Sequence, residues 1–450
     1  MTNIKGKKVL VVGLGRSGEA AGLFLRKKGA LVRLTESANN PELKKKKKVL
    51  ESSGIEVELG RHSEKFIAAV DLVVTSPGIA PETLPLLYAS KNKIPVWSEL
   101  ELAYRFCPVP ILAVTGTNGK STAVTLLFDV LKAAGKKVVL AGNIGTPLIE
   151  IVSELNGKDA AVLEVSSFQL EWIEKFRPKI AVLLNVSADH LDRYQNFESY
   201  IAAKARIFEN QGPEDFAVIN HDDPLCRKIA RKIRARVYYY SRREQAGKFF
   251  TDGKTVFLPD GKPLLEFPES RLWGGHNHEN MAAVCAAAHL FGIRSSAMAE
   301  GIRNFRPLKH RLELVAEKDG VKYIDDSKAT NVDSTLRALQ AFPEAEKRLI
   351  LILGGKDKGG SYLPLKSEIK KKVKALILLG EAAGRIATEL RGLCLIQRTK
   401  NLPECVRSAN LLAGAGDIVI LSPACSSFDM FKNYGERGDI FKKAVLAALS

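Results

Sequence analysis

Short apolar runs alternate along the chain with longer segments whose apolar positions recur at helical spacing. Runs of this kind, bounded by Gly, Pro or polar residues, read as strands buried on both faces, and the periodic segments read as helices that cover them. The alternation predicts an α/β protein built on parallel sheets. Strands are expected at residues 9–12, 30–34 and 71–75, then 111–115, 160–165 and 180–184, and finally 323–324, 349–353, 375–379 and 417–421. A helix is expected over 197–209. Apolar periodicity is lost around 305–310, where Pro307 marks a linker. Three blocks result, 1–98, 99–307 and 308–450, in line with the roughly three domains that 450 residues suggest at about 150 each.

Composition adds exclusions. With 46% hydrophobic and 26% charged residues, the chain is not disordered as a whole. No apolar run approaches the roughly 18–20 residues of a membrane span. Lys5, Lys7 and Lys8 precede an apolar run too short for a secretion signal, so the start reads as a first strand. Six cysteines stand without a CxxC pair, against a disulfide framework or a structural zinc site and in favour of a reducing, cytoplasmic setting.

The net charge of +18 favours anionic partners. Lys44 to Lys48 follow Pro41 and read as one solvated face of a helix that ends near Gly54. Eight basic residues between Arg227 and Arg243 accompany Tyr238, Tyr239 and Tyr240. Such interleaving can serve single-stranded nucleic acid, but a basic helix followed by an aromatic strand explains it equally well. No RNA-binding fingerprint is present, and no nucleic-acid partner is expected.

The chemistry sits at expected strand ends. Gly13-Leu14-Gly15-Arg16-Ser17-Gly18 joins a strand to a helix, and Glu36 ends the next strand. Read alone, this is a dinucleotide fingerprint, and an NAD-linked oxidoreductase is one reading of it. Thr115-Gly116-Thr117-Asn118-Gly119-Lys120-Ser121-Thr122 follows the strand at 111–115 and reads as a phosphate loop, although Val114 stands where the usual spacing has its first glycine. Backbone N–H groups would surround phosphates, Lys120 would neutralise them, and Ser121 or Thr122 would reach Mg²⁺. Glu164 closes the strand at 160–165, where a nucleotide-bound Mg²⁺ finds a protein ligand. Asn185, Asp189 and His190 follow the strand at 180–184, and Lys204 lies on the helix expected over 197–209. Asn277 and Asn280 stand three apart at a helix start, as caps or as readers of an adenine edge. In the third block, residues 326–331, 354–360 and 422–429 form polar loops after strands and suit one ligand crevice.

Together these motifs resemble the Mur ligases, the ATP-dependent amino-acid-adding enzymes of peptidoglycan precursor synthesis. The resemblance spans essentially the whole chain. It rests on residues 115–122, Glu164, Asn185, Asp189-His190, Lys204 and Asn277/Asn280. Residues 13–18, Ser76-Pro77-Gly78, 166–171, 326–331 and 422–439 look most like the members that add D-glutamate. It implies a Rossmann-like N-terminal domain, a central P-loop ATPase-type parallel-sheet domain and a Rossmann-like C-terminal domain. The first glycine motif then serves UDP rather than NAD. The implied UDP-substrate residues are Arg16, Ser17, Glu36, Ser37, Ser76, Pro77 and Gly78, with Asn143, Gln169 and His190 at the sugar and diphosphate.

The implied ATP site comprises Gly116, Thr117, Asn118, Gly119, Lys120, Ser121, Thr122, Asn277, Asn280, Arg311 and Asp326. Two Mg²⁺ ions would be held by Ser121, Glu164, His190 and Lys204, the last as a carbamate, and catalysis would fall to Lys120, Glu164, His190 and Lys204. Lys328, Thr330, Lys358, Ser427 and Phe428 are the candidates for gripping D-glutamate, since two lysines suit a dicarboxylate. The implied substrates are ATP, D-glutamate and UDP-N-acetylmuramoyl-L-alanine, and the implied state is a cytoplasmic monomer.

Overall fold

The computed structural model describes residues 2–449 except 190–192, 244–247, 267–274, 307 and 343–344, and the side chain of His276 is likewise left aside. Among the described residues the strands form three sheets. The first contains β1 (Lys8–Val12), β2 (Leu31–Glu36), β3 (Glu56–Leu59), β4 (Leu72–Thr75) and β5 (Val96–Ser98) in the order β3-β2-β1-β4-β5, all parallel. The chain leaves β1 toward β2 on one side and returns to β4 on the other. That reversal opens a crevice at the carboxyl ends of β1 and β4.

The second sheet contains β6 (Ile111–Thr115), β7 (Val138–Gly142), β8 (Ala160–Glu164), β9 (Ile180–Leu183), β10 (Phe216–Asn220), β11 (Arg236–Ser241), β12 (Lys248–Thr251), β13 (Thr255–Phe257) and β14 (Pro263–Glu266). Its order is β14-β13-β12-β11-β10-β9-β6-β8-β7. The third contains β15 (Glu313–Lys318), β16 (Val321–Asp325), β17 (Leu349–Gly354), β18 (Val373–Leu379), β19 (Leu395–Arg398) and β20 (Ile418–Leu421), in the order β15-β16-β20-β17-β18-β19.

The chain divides into two compact units. One comprises Met1–Val186, Glu198–Phe267 and Met281–Arg303 and carries the first two sheets; the other comprises Ser187–Phe197, Pro268–Asn280 and Asn304–Ser450 and carries the third. In each, the central strands are apolar without alternation because both faces are covered: all of β6 and all of β17 are buried. Burying Ile111, Leu112 and Val114 stabilises the second sheet by about 1.5–3 kcal/mol per side chain.

The sheets are parallel as expected, with antiparallel strands added at two edges. β13 and β14 run antiparallel beside β12, and β15 runs antiparallel to β16. The links are too short for a parallel crossover, which needs a dozen or more residues. Asp319-Gly320 joins β15 to β16 with both residues at positive φ, the conformation of a tight hairpin turn.

The helix Pro41–Ser52 carries Lys44 to Lys48, and its cap is Asn40, whose side chain accepts the Leu43 amide at 2.9 Å. The tyrosine cluster belongs to the second sheet. Tyr240 is buried and donates to the Leu184 carbonyl at 2.9 Å, while Tyr238 rests edge-on against Phe216.

Candidate functional site

The phosphate loop links β6 to the helix Lys120–Ala133. β6 lies between β8 and β9, with Val114 opposite Glu164 and Thr115 opposite Leu183, so the loop emerges between two flanking strand ends. Gly119 caps the helix at φ +86, a conformation that strains any residue with a Cβ. Asn185, just past β9, clamps the loop: its carbonyl accepts the Thr117 amide at 2.9 Å, its Oδ1 accepts the Asn118 amide at 2.8 Å, and its Nδ2 donates to the Asn118 carbonyl at 3.0 Å. Lys120 Nζ donates to the carbonyls of Gly116 and Thr117, each at 2.8 Å. Lys204 Nζ reaches the same Gly116 carbonyl at 2.8 Å from the helix Phe197–Ala205 and lies 4.6 Å from the centre of the Tyr200 ring. Two cationic groups thus meet at one carbonyl of the loop, where a polyphosphate would find them together with the helix N-terminus. Ser121 and Thr122 are buried in the first turn.

Glu164 is 3% exposed. Its Oε1 accepts Asn143 Nδ2 at 2.8 Å, while its Oε2 is buried and has no hydrogen-bond partner among the described residues. An unsatisfied buried oxygen costs about 1–3 kcal/mol, more when charged, and a cation would relieve it. Glu164 and the Ser121 hydroxyl offer the hard oxygen donors that suit Mg²⁺. Lys204 as an ammonium donates and cannot ligate; only a carbamate on Nζ would supply an oxygen. His190 lies outside the described residues. One other group has metal-compatible spacing among the described residues: His310, Glu313 and Asp325. It is already satisfied, with His310 Nδ1 at 2.7 Å from Asp325 and Lys442 Nζ at 2.7 and 2.8 Å from the two oxygens of Glu313.

In the first sheet, residues 13–18, Glu36 and 76–78 gather at the carboxyl ends of β1, β2 and β4. Glu36 Oε2 accepts the Leu14 amide at 2.9 Å, and its Oε1 accepts the Ala38 amide at 3.0 Å and the Ser37 hydroxyl at 3.2 Å. Burial pushes this carboxyl upward, but the bonds from Ala38, Leu14 and Ser37 outweigh it and hold the group below the usual range. Ser76 Oγ donates to the Gly13 carbonyl at 3.2 Å, and a Cβ at Gly18 would collide with that same carbonyl. Ser17 is half-buried, and Ser37 and Gly78 are exposed. Arg16 forms an ion pair with Glu150 at 3.0 Å and donates to the Gly145 carbonyl at 2.8 Å. Gln169 is buried, and its side-chain oxygen closes a capping box with Ser166. That oxygen therefore orders the turn after β8.

In the third sheet, β16, β20 and β17 are neighbours and parallel, so the loops 326–331, 422–429 and 354–360 leave one edge side by side. Asp326 is buried and accepts Ser422 Oγ at 2.8 Å. Burial raises its pKa to about 7 against the opposing pull of Ser422, Arg311 and the Leu312 amide. Asn277 and Asn280 are buried, and the Asn280 amide points to Asn277 Oδ1 at 3.4 Å.

Lys328 Nζ stands 5.2 Å from the centre of the Tyr434 ring. Thr330 is half-buried, Ser427 is buried, and Phe428 is 69% exposed. Lys358 faces Asp189 at 3.6 Å across a cavity of about 780 Å³ that Asn331, Asp333 and Tyr362 also line. Of the five amino-acid candidates, Lys358 alone lines this cavity; the other four stand on the loops around it. Asp189, which also accepts Asn331 Nδ2 at 2.9 Å, was named from sequence without a role at the amino-acid site, and the Tyr434 and Tyr200 rings were given no role. Asp189, Asn331 and Tyr434 lie within motif stretches that the sequence singled out, whereas Tyr200 lies outside them.

Family models match three stretches: a Mur ligase MurD-like N-terminal domain at residues 7–98, a Mur ligase middle domain at 114–288, and a Mur ligase, glutamate ligase domain at 310–425. The chain is 46% identical over 447 residues to the UDP-N-acetylmuramoylalanine--D-glutamate ligase of Geotalea daltonii, covering 99% of this chain and 98% of that one. It is 45% identical over 447 residues to the protein of that name from Pelotomaculum thermopropionicum, covering 98% of each. A MurF ligase of Thermotoga maritima, solved in complex with ADP, shares the fold at a TM-score of 0.62 with 16% identity, covering 99% of this chain and 96% of that one.

Proposed function

This chain belongs to the Mur ligase family, and from that premise we propose that it is the ATP-dependent ligase that joins D-glutamate to UDP-N-acetylmuramoyl-L-alanine. The products are UDP-N-acetylmuramoyl-L-alanyl-D-glutamate, ADP and phosphate, a step of peptidoglycan precursor synthesis. The observation that carries this reading is the full-length likeness to relatives whose printed activity is that ligation. The intact phosphate loop and the three convergent loops of the third sheet supply the chemistry it needs.

A carboxylate resists amide formation because oxide is a poor leaving group. In this reading the L-alanine carboxylate attacks the γ-phosphorus of ATP, ADP departs, and an acyl phosphate forms. The D-glutamate amine then attacks the acyl carbon and gives up a proton; the tetrahedral intermediate collapses, and its carbon–oxygen bond breaks to release phosphate. Residues 116–122 bind the polyphosphate, and Lys120 offsets charge on the transferring group. Asn277, Asn280, Arg311 and Asp326 complete the ATP site. Mg²⁺, two ions in this reading, supplies further charge neutralisation, with Glu164 and Ser121 as oxygen ligands and His190 and a carbamylated Lys204 completing the set.

Residues 13–18, Glu36, Ser37 and 76–78 hold the UDP, with Asn143, Gln169 and His190 toward the sugar. Lys328, Thr330, Lys358, Ser427 and Phe428 hold D-glutamate. The blocks 1–98, 99–307 and 308–450 divide these tasks, and the protein acts as a cytoplasmic monomer. Among the described residues no helix is long and apolar enough to cross a membrane. Every substrate is an anion, so the charge of +18 speeds encounter.

The test is phosphate release by the purified protein with ATP, Mg²⁺, the UDP-sugar and D-glutamate omitted in turn. Release is expected only with all four. Release without the amino acid, or equal release with L-glutamate, lysine or diaminopimelate in its place, would overturn the assignment.

A further inference from the structure

The helix Tyr434–Leu449 carries Arg437, which is 1% exposed and is the largest fully buried side chain among the described residues. Its guanidinium has no carboxylate within hydrogen-bonding distance among the described residues. Nε donates to Ser327 Oγ at 3.0 Å and Nη2 to the Ser327 carbonyl at 2.8 Å. Nη1 donates to the carbonyls of Cys425 and Ser426 at 3.2 and 3.3 Å. One fork therefore bridges the loop after β16 and the loop after β20.

The loop after β17 closes on the same node. The Lys356 amide donates to the Ser426 carbonyl at 2.9 Å. Gly355, at φ +137, lies so near that an added Cβ would strike the Ser426 carbonyl and stand 3.1 Å from Arg437 Nη1. On the loop after β20, Ala424, next to Cys425, is held at φ +58, a left-handed conformation that strains a non-glycine residue.

Burying a cation without a directly bonded carboxylate is expensive: burial outweighs the more distant attraction of Asp429, Asp325 and Asp326, and an apolar side chain of similar volume often stabilises such a site better. Stability alone therefore does not explain a guanidinium here; geometry does. The fork offers five N–H donors in fixed directions, which neither an ammonium nor an apolar side chain reproduces. Its acceptors are all on the loops that carry Lys328, Thr330, Lys358, Ser427 and Phe428, or in direct contact with them.

We infer that Arg437 is a positioning residue for the amino-acid site: it sets the spacing of the three loops so that their side chains meet the incoming amino acid in register, without touching it. This rests on the assignment of those loops to the amino acid made above.

The test compares wild type with Arg437→Lys and Ser327→Ala in the full-length protein, by steady-state kinetics for each substrate and by thermal denaturation. Arg437→Lys keeps the charge and loses the fork. Its kcat/KM for D-glutamate is expected to fall more than tenfold through KM, with the KM values for ATP and the UDP-sugar within about twofold. Ser327→Ala removes the acceptor of Nε together with the Ser327 hydroxyl's bond to the Tyr434 carbonyl at 2.8 Å but leaves the other guanidinium bonds in place, and a smaller rise in the same KM, about threefold to fivefold, is expected at near-native Tm.

Restoration of D-glutamate kinetics by lysine would mean that only charge matters and would overturn the inference. So would a drop in Tm with no selective change in the amino-acid KM in either variant. If Arg437→Lys failed to fold, Ser327→Ala would decide by the same criterion. A wild type that used another amino acid would refute the D-glutamate reading alone, and the same comparison would then be run with that amino acid.

Discussion

Glu99 opens the helix Glu99–Tyr104 and is 1% exposed. Its Oε1 accepts the Ile149 amide at 2.9 Å. Burial pushes its pKa from 4.5 to about 7, against the lowering pull of the Ile149 amide and the Gln169 side chain. The folded protein therefore holds this proton more tightly than the unfolded chain does. Below about pH 4.5 both states are protonated. Between about 4.5 and 7 the unfolded chain ionises first, so folding stability falls as pH rises through this window and levels off above it. A shift of about 2.5 units at 1.36 kcal/mol each sets the scale at about 3 kcal/mol.

Glu99→Gln keeps an oxygen for the Ile149 amide and cannot ionise. The variant should match wild type near pH 4.5 and exceed it progressively up to about pH 7.5, by an amount of order 3 kcal/mol. Asp326 is raised for the same reason, but it is present in both proteins and cancels in the difference. Urea denaturation of both proteins at several pH values between 4.5 and 8, with m compared at each, measures that difference. A difference that does not vary with pH, or that favours wild type increasingly as pH rises, refutes the buried-acid argument.

Two further outcomes follow from the site. Lys120→Ala should lower turnover by roughly 10²–10³-fold or more while calorimetric affinity for the UDP-sugar stays within about threefold, because its contacts are to the phosphate loop; equal loss of both would contradict that division of labour. Lys358→Ala should raise the KM for D-glutamate by roughly tenfold to a hundredfold, the scale of one charge-assisted bond, and change the KM for ATP less; the reverse ordering would remove Lys358 from the amino-acid site.

Most central strands were legible because burial on both faces leaves a continuous apolar signal, although β10, buried between β9 and β11, was not expected. The 111–115 expectation coincides with β6, and 349–353, 375–379 and 417–421 fall within a residue or two of β17, β18 and β20. The edges were not legible by that criterion. β13, β14 and β15 are short or half-exposed strands with no apolar run. Their signal lies in the turns instead: Asp252-Gly253, Asp260-Gly261 and Asp319-Gly320 each stand between paired antiparallel strands. In the site, residues joined by local spacing were readable, such as the phosphate loop and the turn closed by Ser166 and Gln169. Contacts made across many residues of chain were not. Nothing near Arg437 in sequence tells that its guanidinium will meet carbonyls of residues 327, 425 and 426.

Satisfaction of hydrogen bonds, rather than ligand spacing, separates the His310–Glu313–Asp325 group from Glu164. His310, Glu313 and Asp325 have the ligand types and proximity of a metal site. Yet Lys442 already neutralises Glu313, and His310 already engages Asp325, so a cation entering there would have to displace existing partners. Glu164 shows the opposite balance. One oxygen is held by Asn143, and the other is buried with no donor to accept from among the described residues. A lone carboxylate oxygen kept from water at the end of β8, beside a phosphate loop, is destabilised until something cationic arrives. The cost is tolerable only if an occupied state recovers it, so among the described residues Glu164, and not the His310 group, is the carboxylate that a cation would relieve.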